Sequence, residues 1–96
     1  MAVVRTHRYT IDETNASELI ARRAALIATI RSAYPGLASV TLVRTPDGTF
    51  VDTWRWDSSE QMRAALAAAP TLAEVGAAMS LTRDPTAEDG EIVDER

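Results

Sequence analysis

The hydrophobic period of this 96-residue chain switches repeatedly between two residues and three to four, with proline and glycine at the switches, and this alternation limits the fold most. Residues Val3 to Ile11 mix β-branched, aromatic and polar side chains. Val3, His7, Tyr9 and Ile11 fall on one side and Val4, Thr6, Arg8 and Thr10 on the other, which predicts a strand. Asp12-Glu13-Thr14-Asn15 breaks the pattern, and Asn15 with Glu18 three positions on has capping-box spacing for a helix. Leu19, Ile20, Ala24, Ile27, Ile30 and Tyr34 supply its apolar stripe, Arg22, Arg23 and Arg31 fall mostly away from it, and Pro35-Gly36 ends it.

Leu37 to Arg44 again reads as a strand. Thr45-Pro46-Asp47-Gly48-Thr49 is a turn in which proline presets one dihedral and glycine supplies a positive φ, so the strand beyond it runs antiparallel. That strand, Phe50 to Trp56, places Phe50, Asp52, Trp54 and Trp56 on one face and Val51, Thr53 and Arg55 on the other. Asp57-Ser58-Ser59-Glu60 offers caps for a second helix buried along Met62, Ala65, Leu66 and Ala69 up to Pro70, and a short third helix is expected around Leu72, Val75 and Met79. From Thr82 the chain carries Asp84, Glu88, Asp89, Glu91, Asp94 and Glu95. Residues 82–96 are either a tail that ends in a short edge strand at Ile92-Val93 or a frayed, solvated segment.

A chain of this length supports one core, so residues 1–96 are read as a single domain. The order β-α-β-β-α-β is a ferredoxin-like α+β fold, with both helices on one face of a four-stranded antiparallel sheet. The opposite face is not purely polar, and packing it on a second copy of the chain is the economical cover, so a homodimer is expected.

With 46% hydrophobic and 25% charged residues and no long apolar run, a membrane span is not expected. The first residues do not form a basic segment followed by an apolar one, and a cytoplasmic location is expected. The sequence has no cysteine, which removes disulfides, thiolate nucleophiles and cysteine-ligated metals, and His7 is its one imidazole. A net charge of −4 and dispersed arginines argue against nucleic acid.

His7 has an ordinary pKa near 6.5, which suits a general base acting on a phenol. Arg5 and Tyr9 flank it on the same face of an extended strand, so a cation, an imidazole and a phenol stand in a row. Trp54 and Trp56 lie two apart on one face and suit a planar ligand, although such rows are also common in cores. Asp52 is either a buried acceptor that needs Arg44, Arg55 or another donor, or a solubilising edge charge. Arg63 and Glu74 are assigned to solvated helix faces, and no metal cluster, phosphate loop or nucleophile elbow is present in the pattern.

Thr6-His7-Arg8-Tyr9-Thr10 on the first strand and Trp54-Arg55-Trp56-Asp57-Ser58 leading into a helix resemble the antibiotic biosynthesis monooxygenase family of dimeric α/β-barrel proteins over roughly residues 3–80. The resemblance implies a cavity between sheet and helices in each subunit and a homodimer. It also implies either a cofactor-independent monooxygenase acting on an aromatic or polyketide-like molecule or a non-catalytic ligand-binding or interaction module of the same fold. In the haem-degrading branch a strand-1 asparagine faces the cavity, and His7 takes its place here. The helix tryptophan and haem-ligating histidine of that branch fall near Ala65 and Val75, and no histidine follows His7, which points away from haem. Many other relatives have a histidine near the position of Ala65. No cofactor is expected. If the chain is an enzyme, His7 is the base, Arg5 steadies the developing anion, and Tyr9, Trp54, Asp52 and Met62 contact substrate. An isomerase or cyclase on the same barrel would need paired acid and base groups that the sequence does not place.

Overall fold

In the computed structural model, which describes residues 2–96, β1 (Val3–Thr10) leads through a 3-10 turn into α1 (Ala16–Ala33). β2 (Leu37–Arg44) and β3 (Phe50–Trp56) follow, then α2 (Ser59–Ala68), a second 3-10 turn, α3 (Ala73–Met79) and β4 (Arg83–Glu91). All four strands form one antiparallel sheet in the order β2-β3-β1-β4. β1 and β3 therefore hold the centre, and their register opposes Arg5 to Trp54, His7 to Asp52 and Tyr9 to Phe50. This is the expected ferredoxin-like arrangement.

The β2–β3 turn forms as its residues dictate. Gly48 has a φ of +88°, a left-handed value that a side chain would resist, and Asp47 accepts the amide hydrogen of Thr49 at 3.0 Å. Gly36, between α1 and β2, lies close against a side chain of α2. Its amide donates to Gln61 Oε1 of α2 at 2.6 Å, and a Cβ there would meet that same oxygen.

Two helix starts differ in how they are capped. Ser58 caps α2 as anticipated, accepting from the Gln61 amide at 3.2 Å. Asn15 makes no side-chain cap at α1; Asp12 instead accepts both the amide and the hydroxyl of Thr14 and closes the 3-10 turn that feeds the helix. α1 is also rotated relative to the expected stripe: Leu19 and Ile30 are buried with Leu26 and Ile27 packed against the core, while Ile20 is 54% exposed and Ala24 faces out.

The core has two parts. Val3, Ile30, Leu37, Trp54, Trp56, Met62 and Ala65 form the larger, and Tyr9, Leu19 and Phe50 the smaller. Both tryptophans are thus buried within one copy of the chain, so the apolar load expected on the opposite sheet face reduces to residues such as Val43 and the half-buried Val4 and Val51.

The C-terminal strand departs from the expectation. It spans Arg83–Glu91, nearly devoid of apolar side chains and exposed throughout, whereas Ile92 and Val93 lie beyond it. Its pairing with β1 is held by backbone hydrogen bonds and by the Arg5–Asp89 and Arg8–Glu88 ion pairs. The Ile92 amide adds a bond to the Ala2 carbonyl at 3.0 Å. Among the described residues no helix is long and apolar enough to cross a membrane.

Leu19 is 1% exposed and joins α1 to Tyr9 and Phe50 of the sheet. Leu19→Ala is expected to lower unfolding free energy by about 2–5 kcal/mol, and the half-exposed Val43→Ala by less than about 1 kcal/mol, as read by urea denaturation.

Candidate functional site

The inward faces of β1 and β3 meet the helices across a cavity of about 140 Å³. Its polar wall comes from β1 and β3: Arg5, His7 and Tyr9 point in at alternate positions, opposite Trp54 and Asp52. Met62, Ala65 and Leu26 cover it from the helices, and the partly exposed Met79, Thr82 and Pro85 stand where it approaches solvent. All six side chains singled out in the sequence, Arg5, His7, Tyr9, Asp52, Trp54 and Met62, line this one space.

Asp52 is 4% exposed, so it is a buried acceptor and not an edge charge. Its donor is neither Arg44 nor Arg55 but Arg23 of α1, which grips it in two parallel hydrogen bonds, Nε to Oδ2 and Nη2 to Oδ1, each 2.9 Å. The Tyr9 hydroxyl donates to the same Oδ2 at 3.0 Å. A buried carboxylate survives desolvation only with such partners, and the planar guanidinium supplies two at once. Burial, reinforced by the charge and hydrogen bond of Asp52, holds the Tyr9 hydroxyl well above the usual phenol pKa, so Tyr9 stays a protonated donor.

Arg23 was not anticipated at the site. The signal lay in its spacing: position 23 is four residues from both Leu19 and Ile27, on the buried side of α1, and an arginine there must face inward.

His7 meets the Trp54 ring edge-on, centroids 6.5 Å apart and planes at 73°. Burial lowers its pKa below the ordinary 6.5, and the positive charge of Arg5 lowers it further, against the weaker opposing pull of Asp52 and Asp89. The imidazole is therefore neutral at pH 7. Arg5 holds both oxygens of Asp89 through Nη1 at 2.9 Å, but its Nε is buried with no acceptor. The indole Nε1 of Trp54 is likewise buried and unpartnered among the described residues.

The space matches one aromatic ring, since a cavity of about 150 Å³ accepts benzene, and it is far smaller than a tetrapyrrole. His7, the one imidazole, sits within it beside Trp54. The residues present do not fit a haem. Among the described residues no group of three metal-ligating side chains converges.

Breaking the buried network is expected to be costly. Arg23→Met leaves the Asp52 charge without its main partner and is expected to cost about 3–5 kcal/mol, whereas Arg23→Met combined with Asp52→Leu recovers most of that loss, as measured by chemical denaturation.

No family model matches the chain, and no curated protein matches it in sequence. Solved structures do match. A variant of SnoaB, a cofactor-independent oxygenase from Streptomyces nogalater, superposes with a TM-score of 0.78 at 23% identity, over 98% of this chain and 95% of that one. An antibiotic biosynthesis monooxygenase candidate from Chloroflexus aurantiacus gives 0.68 at 19% identity, over 100% and 97%. A variant of MhuD, solved with two manganese protoporphyrin IX molecules per active site, gives 0.68 at 19% identity, over 98% and 97%. Near-complete coverage in both directions, together with the β2-β3-β1-β4 sheet and its helix-covered face, shows that this chain has the fold of the antibiotic biosynthesis monooxygenases.

Proposed function

We propose that this protein is a cofactor-independent monooxygenase that oxidises a small electron-rich aromatic molecule in the cavity between sheet and helices. The observation that carries the reading is the neutral imidazole of His7 inside a largely apolar cavity of one-ring size, beside the cation of Arg5. The likeness to SnoaB supports the class of chemistry.

In this reading His7 removes a proton from the bound phenol or activated ring carbon, and Arg5 stabilises the anion that forms. The electron-rich anion then gives its electrons to molecular oxygen. One oxygen atom becomes bonded to a ring carbon, the second leaves as water with two hydrogens lost by the substrate, and the substrate is the sole reductant. The protein has only to bind, deprotonate and exclude water. Trp54 and Met62 hold the ring, and Tyr9 and Asp52 form the fixed floor. A polyketide-like substrate with fused rings would place one ring in the cavity and the remainder toward Met79 and Pro85.

A second reading, a non-catalytic module that binds a small ring, draws on one specific fact. Arg23 and Tyr9 occupy both oxygens of Asp52, so the site has no second free acid or base beside His7.

Oxygen consumption with hydroquinone and with anthrone separates the two. The enzyme reading expects uptake above the uncatalysed rate, equimolar with product, and a fall of about 10²- to 10⁴-fold in His7→Ala. Because the base must be unprotonated and its pKa is lowered, the midpoint of the acid limb of kcat/KM should lie below pH 6.5, with that limb lost in His7→Ala. An unchanged rate in the variant removes His7 from the mechanism. Ring binding without oxygen uptake supports the non-catalytic module.

The same proposal includes a homodimer built on the sheet face away from the helices, where Val4, Val51 and Val43 are the apolar residues. Val51→Asp sets a charge in the middle of that face, and sedimentation should then show a monomer where the unaltered protein is a dimer.

A further inference from the structure

Two donors on cavity-lining residues are satisfied by nothing in the described chain. Arg5 Nε and Trp54 Nε1 are both buried and unpartnered, on residues that line the same space. Such groups are rare because each carries the cost of lost hydration without a replacement bond. Arg5 and Trp54 are also direct cross-strand partners in the antiparallel β1–β3 register, and their side chains project to the same side of the sheet. Opposed positions of that kind bring Cβ atoms within about 5 Å, so two donor side chains growing from them can converge on a single atom.

The remaining polar groups narrow what such an atom can be. The carboxylates near the cavity are engaged: Asp52 by Arg23 and Tyr9, and Asp89 by Arg5 Nη1. The Tyr9 hydroxyl hydrogen is committed to Asp52. What remains at the Arg5–Trp54 end is donor capacity that no acceptor takes up, the ring nitrogens of His7 included, next to the positive charge of Arg5. The missing complement is an oxygen with lone pairs and no need to donate.

We propose that Arg5 and Trp54 form a recognition subsite for an acceptor oxygen, a ketone, quinone or phenolate oxygen borne on a single flat ring, held by Arg5 Nε–H and Trp54 Nε1–H with His7 alongside. This deepens the reading above, since it rests on the same cavity taking a small ring, and adds which ligand atom is recognised and by which two donors. A ring with an acceptor oxygen gains both bonds. A ring of the same shape without it buries the two donors unsatisfied and displaces any water that served them.

Two nearly isosteric probes test it, acetophenone and isopropylbenzene, followed on the two tryptophan indole N–H signals in proton–nitrogen correlation spectra, with Trp56→Phe to assign them. The expected result is binding of acetophenone about tenfold tighter, a downfield shift of the Trp54 indole proton with acetophenone only, and loss of the preference in Arg5→Met with isopropylbenzene affinity retained. Equal binding of the two probes with the Trp54 indole proton unmoved overturns the subsite while leaving the cavity a ring-binding site. Failure of both probes to bind overturns the subsite and the ring-binding reading together. The indole shift is read on the unaltered protein, so the test does not depend on a variant folding.

Discussion

A carboxylate buried in the middle of β3 dictates much of how this molecule is assembled. Asp52 cannot remain charged in the interior without donors, and β2 and β1 offer it only the phenol of Tyr9. The guanidinium of Arg23 has to come from α1, which fixes both the rotation of that helix and its height above the sheet. Once Arg23 points down, Leu19, Leu26, Ile27 and Ile30 follow it into the interior and Ile20 is turned out. The bidentate contact thus acts as a registration pin between layers that apolar packing alone would leave free to slide.

That pin also explains why the sheet was easier to read than the helices. Strict alternation in Phe50 to Trp56, and the Pro-Asp-Gly turn before it, specify a strand and its inward face with little ambiguity. A helical stripe is broader, and a charged residue within it is naturally assigned to water, so Arg23 was placed outside and Ile20 inside. The fourth strand is present but lies earlier than its apolar residues suggest, for the opposite reason. Arg83 to Glu91 has no apolar period because both of its faces are exposed, and its pairing is written in backbone hydrogen bonds and cross-strand charges, which sequence periodicity does not record. The short segment with strand-like residues, Ile92-Val93, lies just past it.

At the cavity, the side chains on β1 and β3 were legible because a strand sends every second residue to the same place, and Arg5, His7, Tyr9, Asp52 and Trp54 obey that rule. Their states were not. Whether His7 is charged, which donor answers Asp52 and which nitrogens go unpaired depend on distances between elements remote in the chain. A shared fold names neither the chemistry nor the ligand, which are set by the shape and polarity of this particular space.

The exposed strand at the sheet edge has a consequence of its own. A free β edge is an open template onto which another such edge can zip, and small sheet proteins are prone to growing into ribbons that way. Here the rim bears Asp84, Glu88, Asp89 and Glu91, with Pro85 deleting one amide donor. Two such rims brought side by side would crowd like charges against each other before their backbones could meet. The most polar stretch of the chain thus works as an insulator at this edge, opposing the pairing of one β4 with another.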